Sequence, residues 1–205
     1  MGFTMKKTYF IKIYNLVHFL SILFILSFVL TLLVEFLQKD LTNVNTDFLL
    51  TSQLIILVKL TMNVLQITNI LIPCVVFALL LPEISKRIIH DKIINLVKSI
   101  IGTVHVRQLL KQSSKIPLSN SANHKVSEND VITKFNKSVR KSVLDLSNEE
   151  LKLFFKVPKN AQSQKILKEH EEQIKEHVLS LYPEYIISTF ERNKFNLWLI
   201  GTKIR

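Results

Sequence analysis

The sequence predicts an α-helical transmembrane hairpin joined to a small cytoplasmic α+β domain, ordered strand, strand, helix, strand, strand, with one helix covering an antiparallel sheet. Three observations lead there. Two long apolar runs fill the first half of the 205 residues, their flanks are basic, and the apolar period turns from helical to alternating beyond a Ser- and Asn-rich stretch.

From Ile13 to Phe36 the chain reads IYNLVHFLSILFILSFVLTLLVEF, uncharged until Glu35. At about 1.5 Å per residue this reaches across the roughly 30 Å hydrocarbon core of a bilayer. The preceding MGFTMKKTYFIK is basic like the start of a secretory signal. The apolar run outlasts the ~7 to 15 residues of a signal, however, and no small-residue cleavage site closes it, so the segment is expected to be retained. A second span covers about 54–81 and is cleanest from Leu60 to Leu81, with Pro82 and Glu83 marking its exit. Two buried helices of a soluble bundle would each need a polar face, which the first run lacks.

Lys6, Lys7 and Lys12 precede the first span and Lys86, Arg87 and Lys92 follow the second, whereas the connection holds Lys39 against Asp40 and Asp47. The positive-inside rule therefore places both termini in the cytoplasm of a multi-pass protein of the cell membrane. Within the second span Lys59, Asn63, Gln66 and Asn69 recur at spacings of four, three and three, one face of a helix. This polar face either packs on the first span near Ser21, Ser27 and Thr31, with Lys59 snorkelling outward, or binds a protein partner or a second copy.

Residues 84–110 read as a basic amphipathic juxtamembrane helix, completing a membrane domain of residues 1–110. Ile89, Ile93, Leu96, Ile100 and Val104 form its apolar stripe, and Lys86, Arg87, Lys92 and Lys98 are the expected contacts to anionic lipid headgroups. A straight extension of the second span that pairs with a copy of itself is the alternative. Residues 111–130, KQSSKIPLSNSANHKVSEND, read as a linker.

The cytoplasmic domain is expected over 131–205. Phe135, Val139 and Val143 suggest a first strand, and Leu151, Leu153, Phe155 and Val157 alternate with Lys152 and Lys156 in a second that ends at Pro158. A helix follows from Asn160, with Ile166, His170, Ile174, Val178 and Leu181 on one stripe and Pro183 closing it. The segment YIISTFERNKFNLWLIGTK reads as a hairpin turning near Arg192 to Lys194.

Little in the sequence carries chemistry. Three glycines leave no phosphate-cradling loop, the single Cys74 lies in an apolar run, and no nucleophile-elbow context surrounds any serine. In HEEQIKEH the histidines, His170 and His177, stand seven apart rather than the four of a zinc helix. No enzyme, metal or cofactor is expected. The net charge of +11 favours anionic partners. Lys134, Lys137, Arg140, Lys141, Lys152 and Lys156 would form a basic patch if the first two strands pair; a solvated face near an anionic membrane is favoured over a nucleic-acid site.

Two N-terminal spans, a basic juxtamembrane helix, a linker and then NKSVRKSVLDLSNEELKLFFKVPKNAQSQKILKEHEEQIKEHVLSLYPEYIISTFERNKFNLWLIGTK resemble the membrane-proximal region of FtsK/SpoIIIE-type DNA translocases of Gram-positive conjugative elements. The resemblance covers nearly the whole chain and rests on element order and apolar pattern. It implies an accessory or anchoring part in DNA transfer, without motor activity, because Walker motifs are not in this sequence. The functional expectation is thus a membrane-anchored docking or scaffold protein. A small membrane effector acting through its hairpin, such as an immunity, toxin or holin-like protein, is the alternative.

Overall fold

The computed structural model describes residues 6–42, 49–113 and 122–204. Two compact units divide the chain, one of Ile13–Glu83 and one of Met1–Lys12 with Ile84–Arg205. Helix α1 covers Tyr9–Thr42 and α2 Leu49–His90. The stretches Tyr9–Lys39 and Gln53–His90 are long and apolar enough to cross a membrane.

Between residues 13 and 83 a run of buried and half-buried positions in α2 is spaced alternately by three and four: Ile55, Val58, Met62, Leu65, Asn69, Ile72, Val76, Leu79 and Glu83. In α1 a matching run is Ile13, Val17, Leu20, Phe24, Ser27, Thr31 and Val34. That is the heptad rhythm of two helices packed along a seam. Asn69 Nδ2 donates across it to Thr31 Oγ1 at 2.8 Å, and the Thr31 hydroxyl donates to the Ser27 carbonyl at 2.9 Å. Of the predicted polar face, Asn69 alone joins the seam; Lys59, Asn63 and Gln66 are exposed on the hairpin.

The second unit contains α3 (Ile93–Leu110), α4 (Ala122–Val139), β1 (Val143–Leu146), β2 (Glu150–Lys156), α5 (Ala161–Glu169), α6 (Glu171–Leu181), β3 (Tyr185–Ile187), β4 (Glu191–Asn193) and β5 (Asn196–Lys203). All strand pairs are antiparallel, in the order β1-β2-β5-β3, and β4 folds back on β5. Because strand side chains alternate, Leu144, Leu146, Leu151, Leu153, Phe155, Leu197 and Leu199 fall on one face. They form the core with Val106 and Leu110 of α3, Phe135 and Val139 of α4, Leu167 of α5, and Ile174 and Val178 of α6. On the other face Phe154 and Trp198 are register partners with ring centroids 5.0 Å apart, and Lys7 Nζ lies 4.0 Å from the Phe154 centroid. Burial, then the charges of Lys156 and Lys12, push the Lys7 ammonium below its ordinary pKa.

Four expectations change here. Phe135 and Val139 belong to α4, not to a first strand: their spacing of four is helical, and both are buried in the core. The linker 111–130 includes the start of α4 at Ala122, and residues 114–121 of it lie outside the described residues. The single helix expected from Asn160 is two. Asn160 caps α5 by accepting from the Gln162 and Ser163 amides, and α5 ends at His170, where α6 begins. Finally, the juxtamembrane helix breaks between His90 and Ile93, and its second part, α3, packs on β1 as part of the α+β unit.

Candidate functional site

An edge strand leaves a row of backbone donors and acceptors unpaired. Strand β1 is such an edge, and its outer row is met by side chains of α3 and the end of α2. Four residues of helix advance about 6 Å and two residues of strand about 6.6 Å, so a helix lying along a strand can offer one side chain per outward-facing peptide if polar residues recur every fourth position. Here they do: Arg87, Asp91, Asn95, Ser99, Thr103 and Arg107.

The pairing runs in step. Arg107 donates to the Ser142 carbonyl through Nε at 3.0 Å and Nη2 at 2.6 Å. The Leu144 amide donates to Thr103 Oγ1 at 2.9 Å, and the Leu146 amide to Ser99 Oγ at 2.8 Å. Both hydroxyls in turn donate to the helix carbonyl four residues back, Thr103 to Ser99 and Ser99 to Asn95, each at 2.7 Å. The Asn148 amide donates to Asp91 Oδ1 at 2.9 Å, and Asn95 Nδ2 reaches Asn148 Oδ1 at 3.1 Å. Ser99 and Thr103 are buried, which makes each of these bonds costly to lose.

At the end of the ladder the Arg87 guanidinium, 4% exposed, pairs with the carboxylates of Asp91 and Asp145 and donates to the Leu146 carbonyl. Burial alone would raise the Asp91 pKa. Hydrogen bonds from Arg87 and Asn95 and from the backbone amides of Lys92 and Asn148 outweigh it and hold the carboxyl below its ordinary range. Two tyrosines brace the arrangement: Tyr182 Oη donates to the Lys98 carbonyl at 3.1 Å and Tyr185 Oη to the Ser147 carbonyl at 2.7 Å. Burial, with the nearby Glu184 charge, raises the pKa of Tyr182 and pushes Tyr185 up to about 12. Gly102 permits the close approach, since a Cβ there would collide with Leu144 Cδ2 and Tyr182 Oη.

Because the polar stripe of α3 is used up against β1, its aliphatic stripe points away from the core. Ile88, Ile89, Ile93, Ile94, Val97, Ile100, Ile101 and Val104 are between 41% and 73% exposed. An apolar strip of this size is more than scattered surface residues. Lys86, Lys92 and Lys98 flank it and are exposed; Lys98 also lies 3.6 Å from Glu184. Arg87 leaves the expected headgroup set, because its charge is buried and answered by two carboxylates. The sequence reading found the aliphatic stripe but missed the ladder, although the spacing of four from residue 87 to residue 107 signals it.

The six residues of the expected basic patch do not lie on two paired strands. Lys134 and Lys137 are on α4, Arg140 and Lys141 lie between α4 and β1, and Lys152 and Lys156 are on β2. Lys134 pairs with Asp130 and Lys152 with Glu150, so two of the six charges are already answered. His170 is held within the fold by the Ile166 carbonyl at 2.8 Å and Gln112 Nε2 at 3.2 Å. Among the described residues no group of three His, Cys, Asp or Glu side chains is placed to hold a metal ion. Comparison with protein-family models, curated proteins and solved structures finds no match.

Proposed function

We propose that the chain is a non-enzymatic, membrane-anchored docking protein. Its helical hairpin crosses the bilayer with both ends in the cytoplasm, and its α+β unit rests on the inner leaflet through the aliphatic face of α3 and the end of α2. One observation carries this reading: eight isoleucine and valine side chains are exposed from the end of α2 through α3, while the opposite, polar face of α3 is consumed by the sheet edge. In water that strip would cost on the order of 25 cal/mol per Å² left exposed, a cost that a headgroup–acyl boundary removes. Lys86, Lys92 and Lys98 at its margin would sit among anionic headgroups, each contributing on the order of 1 kcal/mol.

The test uses the full chain in vesicles of neutral and anionic lipid, with Cys74→Ala as background. An environment-sensitive dye is placed at Ile94→Cys or Ile101→Cys and, as a control, at Glu176→Cys on α6. Quenching by acyl-chain spin labels at 94 and 101, and not at 176, is the expected result. Equal accessibility to water at all three positions would overturn the reading. The resemblance to conjugative translocases suggests the class of partner to be docked. Crosslinking in native membranes should recover a coupling ATPase with the intact chain and not with a version lacking residues 131–205.

A further inference from the structure

We infer that the hairpin pairs with a second copy of itself through Lys59, Asn63, Gln66, Ile70 and Phe77 of α2. The inference rests on the membrane-spanning reading and adds to it a partner. These residues repeat at spacings of four, three, four and seven, a second heptad stripe beside the one that packs on α1. Four of the five are uncharged, and all five are exposed.

The hydroxyls of the same helix satisfy themselves: Thr61 donates to the Val58 carbonyl at 2.8 Å and Thr68 to the Val64 carbonyl at 2.8 Å. The Asn63 and Gln66 amides have no such local bond among the described residues. Taking Lys59 as the water-facing end of the span, they lie about 6 Å and 10 Å deeper along the axis, in hydrocarbon. An amide facing lipid there has neither water nor backbone to bond, which is expensive.

The occupant follows from symmetry. Copies inserted with one topology place identical residues at identical depth, so a parallel pair brings Asn63 to Asn63 and Gln66 to Gln66. A carboxamide has both donors and an acceptor and is therefore its own complement. An unrelated helix would need polar groups at both depths. Lys59, at the interface, lets the two like charges part into water.

The experiment uses the full chain in lipid vesicles across a range of protein-to-lipid ratios, with association read by energy transfer between donor- and acceptor-labelled C-termini. The expected result is concentration-dependent pairing, with an association constant lowered about tenfold or more in Asn63→Leu/Gln66→Leu. In a Cys74→Ala background, oxidation should link Ile70→Cys and leave Ile67→Cys, which lies off the stripe, unlinked. Pairing untouched by the double substitution, or linkage at 67 rather than 70, would overturn the inference. So would a monomer in the fraction that resists alkaline carbonate, and there the spanning reading would survive. Release of the parent protein by carbonate would overturn both.

Discussion

Replacing the two buried hydroxyls of the ladder, Ser99→Ala with Thr103→Val, should loosen α3 from β1 at almost no change in shape. The perturbation leaves the Leu146 and Leu144 amides facing α3 without acceptors. Each orphaned buried N–H costs about 1–3 kcal/mol, so the pair should cost about 2–6 kcal/mol. Set against the roughly 5–15 kcal/mol that holds a domain together, the loss is severe. Trp198 is the single tryptophan, 1% exposed within the α+β unit, so its fluorescence during urea titration of the detergent-solubilised full chain follows that unit alone. Thr103→Ser keeps the acceptor and should recover most of its share. Ile100→Ser, on the outward stripe, should stay within about 0.5 kcal/mol of the parent. If the double substitution leaves the midpoint unmoved, or if Ile100→Ser costs as much, the polar face of α3 does not hold the sheet edge and the orientation of the helix is wrong.

Two further outcomes follow from the charged end of the ladder, and a third from its closest approach. Arg87→Met should cost about 3–5 kcal/mol, because Asp91 and Asp145 lose the charge they share, whereas Asp145→Leu with Asp91→Asn alongside it, which keeps the acceptor for the Asn148 amide, should restore much of the loss. Acid should act on the same cluster. With the Asp91 pKa depressed in the folded chain, its contribution is fully present above its unfolded value of about 3.9 and is lost as pH falls through the folded value. The Trp198 unfolding midpoint of the parent should therefore drop steeply below about pH 4, and Asp91→Asn should flatten that drop. Gly102→Leu should destabilise by about 1–3 kcal/mol through collision with Leu144 and Tyr182, and loss of Trp198 burial at lower urea would register it.

The two apolar helices were legible in the sequence because length and hydropathy are properties of the segment itself: IYNLVHFLSILFILSFVLTLLVEF has no polar face whatever surrounds it. Strand β2 was legible for the same reason, its Leu151, Leu153 and Phe155 alternating with lysines. The stretch from Phe135 to Val143 was misread as one strand because residues four apart share a face in a strand as well as in a helix, and only the turn before Ser142 separates α4 from β1. His170 ends one helix and begins another without a proline or glycine to announce it.

The sequence by itself determined that residues 84–110 would be largely helical with one aliphatic and one polar stripe, since that follows from period alone, but not that the helix breaks between His90 and Ile93. Which stripe would face the sheet was decided by tertiary structure. Hydrophobic pattern argues for burying the isoleucines. The sheet edge instead presents peptide groups, and these are answered by Ser99, Thr103, Asp91 and Arg107, which match the strand's repeat to within a fraction of an ångström per step. An unpaired buried peptide is satisfied only by a partner at one position and angle, whereas exposed isoleucines are satisfied by any apolar surface. The directional requirement therefore set the face of the helix and left the aliphatic stripe free.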